Sequence, residues 1–203
     1  MAVSSARVEA MDAILDGAES LLVEVGYAAI TTRKLAERAG VNHGLVHYYF
    51  GSMEEVFLQV LERYTERLTA RQRALYAGDE PFLEKWRTAM AYLVADDEAE
   101  YQKIWFELQA MAWSRPEMRE RVGRVLADWQ AVLTPALRDG LRELGVDTRR
   151  YPLDAVVSLV ATFNEGVMLE RLSGVDSGHR QLLSMIDRLL VRLTREQRKG
   201  ATR

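Results

Sequence analysis

The chain is 203 residues long, 48% hydrophobic and free of cysteine, with Lys+Arg 27 against Asp+Glu 30. That length and apolar content suffice for one large domain or for a small module joined to a larger one, and the missing cysteine excludes disulfides, thiol catalysis and thiolate-bound zinc. A formal net charge of -3 is not the balance of a non-specific nucleic-acid binder, so any contact with a polyanion has to be local.

Leu, Ala, Glu and Arg recur periodically with only four Pro and thirteen Gly to interrupt them, which predicts an all-α architecture without strand alternation. The start, MAVSSARVEAMDAILDGAES, lacks the pattern of a signal peptide, and no apolar run approaches the length of a bilayer span. A soluble, cytoplasmic protein is the expectation.

In chain order, Val8, Met11, Ile14, Leu15, Ala18, Leu21, Leu22 and Val25 form one apolar stripe of a helix that stops at Gly26. Residues 31 to 50, TTRKLAERAGVNHGLVHYYF, then spell two short helices joined by a tight turn. Thr31 and Thr32 cap the first, whose inner face is Leu35, Ala36 and Ala39, and Gly40 ends it. Asn42 caps the second, which turns Leu45, Val46 and Tyr49 inward and leaves His43, His47 and Tyr48 outward. The pattern is that of a helix-turn-helix, in which the second helix enters the major groove by its N-terminal residues. The basic residues Arg33, Lys34 and Arg38 are expected on one face with the two histidines, and the acids of the first helix turned away.

Ser52 with Glu55 makes a capping box for a long helix to about Tyr76, and Gly78 to Pro81 form the clearest boundary. Beyond it, one helix is marked by Phe82, Trp86, Met90 and Leu93. Another, marked by Ile104, Trp105, Leu108 and Met111, follows the acidic stretch Asp96 to Glu100. A further helix starts at Pro116 and is expected to kink or break at Pro135. Two last helices run from Pro152 to about Leu172 and from about Ser177 to Leu193, for about nine in all. The penultimate one is apolar around much of its circumference, from Val156 to Leu169. Either it is buried within its own domain or a second copy of the chain covers its outer side, together with Leu182 to Leu193 of the last helix. The basic tail is read as solvated.

TTRKLAERAGV, followed by a second short helix, an aromatic cluster and a Ser-capped long helix, resembles the TetR family of bacterial transcriptional regulators over roughly the first quarter of the chain. The resemblance implies an all-helical homodimer, usually a repressor, with a three-helix DNA-binding domain and a larger C-terminal domain for a small inducer and for dimerisation through the last two helices. Residues 1–51 would be the former and 52–203 the latter, with 52–76 as a linker helix that relays effector binding. It gives Thr32 a phosphate contact and Arg33 a reach toward the bases, with Lys34 beside them. Asn42, His43 and Gly44 take the groove-facing start of the recognition helix, His47 follows, and Tyr48 meets the backbone. His47 stands where a tyrosine is common, and Met53 where a lysine often anchors a phosphate. The partner is a palindromic double-stranded operator, and no cofactor is implied.

His43 and His47 have the spacing of a metal pair, but neither the acid of a zinc-hydrolase motif nor a third ligand accompanies them. Large apolar groups gather in the C-terminal portion: Trp86, Met90, Trp105, Met111, Trp129, Phe163 and Met168, with Asn164 and Glu165 as polar groups in an otherwise apolar helix. Such stripes serve as core or as the wall of a pocket for a small apolar or aromatic effector. An activator on the same scaffold is an alternative, and a helical carrier or enzyme a further one, although no nucleophile elbow, phosphate loop or metal triad is present.

Overall fold

The computed structural model describes residues 2–94 and 99–201. Among these residues the apolar periodicity becomes nine α-helices and no strand. They are α1 (Ala2–Val25), α2 (Thr32–Ala39), α3 (His43–Phe50), α4 (Met53–Ala77), α5 (Phe82–Val94), α6 (Ala99–Trp113), α7 (Pro116–Glu143), α8 (Leu153–Leu172) and α9 (His179–Ala201), with a single 3-10 turn at Tyr27–Ala29 after α1. Among the described residues no helix is long and apolar enough to cross a membrane. Of the acidic stretch before α6, Asp96, Asp97 and Glu98 lie outside the described residues.

Two boundaries differ from expectation. α7 continues through Pro135 without a break. A proline inside a helix costs about 3 kcal/mol, but Val132, Leu133 and Leu137 on either side are buried, and each contributes about 1.5–3 kcal/mol to holding the segment helical. α9 runs beyond Leu193 to Ala201, supported on its exposed side by an i,i+4 pair of Arg192 and Glu196.

The chain divides into two compact units, one of residues 1–67 with 100–125 and one of 68–99 with 126–203. α4 and α7 each supply residues to both. In the first unit the inner stripe of α1 (Ile14, Leu21, Leu22) packs with Leu35 of α2, Val46 of α3 and Val56, Phe57, Val60 and Leu61 of α4, all fully buried. Tyr27 meets Phe57 edge-on, with ring centroids 5.1 Å apart. The acids of α1 are answered across this core: Arg63 of α4 reaches Asp16 and Glu19, and Arg67 reaches Glu19, at 2.6–2.9 Å.

The second unit has its own core of Phe82, Trp86, Leu133, Leu137, Leu144 and Val157, lined further by Trp129, Met90 and the inner leucines of α9. Gly140 is required there, because a Cβ at that position would lie 2.3 Å from the ring of Phe82. The carboxylate of Glu143 accepts the Phe82 N–H at 3.0 Å and so caps the start of α5.

Candidate nucleic-acid interface

The local chemistry of residues 31 to 51 sets the geometry of the site. Thr31, with extended backbone, accepts the Lys34 N–H on its hydroxyl and starts α2. Gly40 ends α2 at φ 66°, a left-handed conformation that glycine adopts without penalty. Two residues later Asn42 accepts the Gly44 N–H at 2.9 Å and starts α3. Leu35, Ala36, Val46 and Phe50 are buried, and anchoring one side of each short helix exposes the other.

Arg33, Asn42, His43, Gly44, His47 and Tyr48 are all exposed, and Thr32 and Lys34 are half-buried at the start of α2. Tyr48 is 78% exposed, an unusual position for a large aromatic on a helix whose opposite side is fully packed. His47 donates from Nδ1 to the Gly51 carbonyl at 3.2 Å. The structure therefore brings the polar residues of α3 onto one open face.

Arg38, also exposed, is engaged by an acid of α1. Its guanidinium makes a bidentate bond to Glu24 of α1, at 2.7 Å on both arms, and also reaches Ser20. The hydrogen bonds from Arg38, and then from Ser20, pull the Glu24 carboxyl from the usual 4.5 down to about 2. A carboxylate fork at the end of α1 matches the planar donors of Arg38 and engages its charge, and Lys34, one turn earlier on α2, adds to the field at Glu24.

Sequence reasoning missed a second set of residues, supplied from beyond the long helix. Glu107 of α6 accepts the Tyr27 N–H at the turn after α1, and Lys103 donates to the Val23 carbonyl at 2.7 Å. The first bond satisfies an N–H at the start of the 3-10 turn, and the second a carbonyl that the end of α1 leaves open. Arg115 reaches Glu54 at 2.9 Å, and Arg121 holds Glu55 and Glu62 of α4. A shallow depression of about 420 Å³ lies at this corner, lined by Val25, Gly26, Tyr27, Ala28, Glu107, Ala110 and Met111.

Residues 14–60 match the family model described as bacterial regulatory proteins, tetR family. Over 178 residues, 88% of each chain, the sequence is 26% identical to the HTH-type transcriptional repressor AcnR of Corynebacterium efficiens. It is 36% identical over 80 residues, 39% of each chain, to the repressor KstR of Mycolicibacterium smegmatis. The fold is similar to a crystal structure of a TetR-family transcriptional regulator from Rhodococcus sp., with a TM-score of 0.73, 22% identity and coverage of 90% of this chain and 99% of that one. The chain is thus similar to TetR-family transcriptional regulators, in sequence most clearly over residues 14–60 and in fold over most of its length.

The relatives it matches are named as transcriptional repressors. The residues expected to line an effector pocket are divided between the units. Trp105 and Met111 belong to the first, Trp105 buried and Met111 at the shallow depression. Trp86, Met90, Trp129, Phe163, Asn164, Glu165 and Met168 belong to the second, where Trp86, Met90 and Trp129 join one apolar cluster. Trp129 donates to Gln72 at 2.8 Å. Asn164 is only 8% exposed, and its Oδ1 is buried with no hydrogen-bond partner. Tyr76, on the edge of the same cluster, has its hydroxyl pushed up to about 12 by burial. On α8 and α9, Leu159, Leu169, Met185 and Leu189 are exposed.

Proposed function

We propose that this chain is a TetR-family repressor that reads a palindromic operator through α3, with Asn42, His43, Gly44 and His47 toward base edges and Tyr48 toward the sugar-phosphate backbone. The start of α2 contributes Thr32 to a phosphate, Lys34 as a cation beside it, and Arg33 to a guanine through paired donors. The observation that carries this reading is the open polar face of α3, capped by Asn42 and fixed from behind by Val46 and Phe50. Repression draws support from the names of AcnR and KstR. The protein would act in the cytoplasm, where the operator is.

The apolar side chains exposed on α8 and α9 favour those helices as the dimer interface, since a twofold axis through them buries leucine against leucine. Two α3 helices would then enter successive major grooves, roughly 34–36 Å apart or at a related spacing. A small apolar or aromatic effector in the second unit would release the operator, with Asn164 supplying its polar contact, because a buried carbonyl without a partner is costly unless a ligand satisfies it. α4, the long helix that supplies residues to both units, would relay such a signal.

The test is selection of duplexes from a random library by the purified protein, followed by titration across salt. An enriched inverted repeat, bound with an affinity that falls steeply as salt rises, is the expected result. Failure to enrich any sequence would overturn the reading.

A further inference from the structure

α3 carries no lysine or arginine in HGLVHYYF, although a duplex presents a dense row of phosphates along the faces that flank a groove. Of the basic residues in the first fifty positions, Arg38 is held by Glu24, and Arg33 and Lys34 stand at the start of α2. Arg7 remains. It lies exposed near the beginning of α1, with its guanidinium carbon 5.9 Å from the centroid of the Tyr49 ring. Tyr49 in turn meets Tyr48 edge-on at 5.1 Å. α1 therefore delivers a cation to the C-terminal half of the recognition helix, which has none of its own. The neighbouring carboxylate of Glu9 is engaged by the Ser5 hydroxyl at 2.7 Å.

We infer that Arg7 is a phosphate contact of the operator complex, held in place by the face of Tyr49. The inference rests on the reading of α3 as the groove-entering helix. A guanidinium held over a ring by its charge spends none of its N–H donors on that contact, so they stay free to make paired bonds to a phosphate. The base-reading end of such a helix is its N-terminal half, whereas Tyr48 and Tyr49 occupy the C-terminal half, beside which Arg7 sits. Contact there positions the protein and carries no sequence information.

The experiment uses the full-length protein, the duplex it selects from a random library and a scrambled duplex of equal length, titrated across salt. Arg7→Gln is expected to weaken both duplexes by the same factor, roughly 3- to 10-fold, and to make the slope of log affinity against log salt shallower by about one. Tyr49→Phe should keep wild-type affinity, while Tyr49→Leu should reproduce the loss, with no further loss when Arg7→Gln is added. Thermal melts confirm that each variant is folded. An unchanged slope in Arg7→Gln, while Arg33→Ala still alters base preference, overturns the inference and leaves the reading of α3 standing. Loss confined to the selected duplex makes Arg7 a base-reading residue and also overturns it. If the wild type enriches no sequence, the reading falls and takes the inference with it.

Discussion

The open face of α3 and the open faces of α8 and α9 are both uncovered, yet they differ in every chemical respect. α3 exposes a phenol, imidazoles and a capping amide around Tyr48, groups that water satisfies and that hydrogen-bond to a polar groove. α8 and α9 expose Leu159, at 69%, and Met185, at 55%, with Leu169 and Leu189. Hydrocarbon side chains in a row gain only from a partner that is itself apolar. Exposure alone does not distinguish the two surfaces; the presence or absence of donors and acceptors does, and on the proposed reading it separates a nucleic-acid face from a protein face.

The sharpest way to break this contrast is to make the second face resemble the first. Leu159→Glu combined with Met185→Glu should cost the dimer about 3–5 kcal/mol, the penalty of burying unpaired charge, and sedimentation should show monomers that no longer retain operator DNA. A dimer that survives would place the twofold axis elsewhere. On the first face, Arg33→Ala should lower discrimination at one operator position by about 1–3 kcal/mol, read as relaxed preference in a gel-shift series against single-base variants. Preference that stays as sharp as in the wild type would remove Arg33 from base reading.

Inside the second unit, Asn164→Leu replaces an amide whose oxygen lacks a partner. It should raise the unfolding free energy by about 1–3 kcal/mol and abolish the response to any effector that needs the polar contact. Destabilisation would mean that the amide serves the fold. The smallest effect concerns the pair of Arg38 and Glu24. Because the Glu24 carboxyl is depressed to about 2, its contribution to docking α2 on α1 is complete above the usual 4.5 and is lost as pH falls through the folded value. Carbon-detected titration should find Glu24 at about 2 in the wild type and clearly higher in Arg38→Gln, where the Ser20 bond and the Lys34 charge remain; equal midpoints would dissolve the pair.

Helix-turn-helix geometry was readable from residues 31 to 51, because caps, a left-handed glycine and a one-sided apolar pattern act over three or four positions. The outward set of His43, His47 and Tyr48 followed from the same periodicity, as did the exposed leucines on α8. The continuity of α7 through Pro135 was not readable: local propensity favours a break there, and buried neighbours outweigh it. Nor was the division of the tryptophans, since helical spacing reports that a side is apolar and not which unit covers it.

Chain-local chemistry thus specified where helices begin and end and which side chains face outward, since both follow from hydrogen bonds and hydrophobic periods within a few residues. Which charges remain available for DNA did not follow from it. The Arg38 and Glu24 fork, the cation–π contact of Arg7 with Tyr49, and the bond from the Tyr27 N–H to Glu107 across 80 residues join positions with no shared local pattern. Long side chains choose partners only after packing brings their helices together.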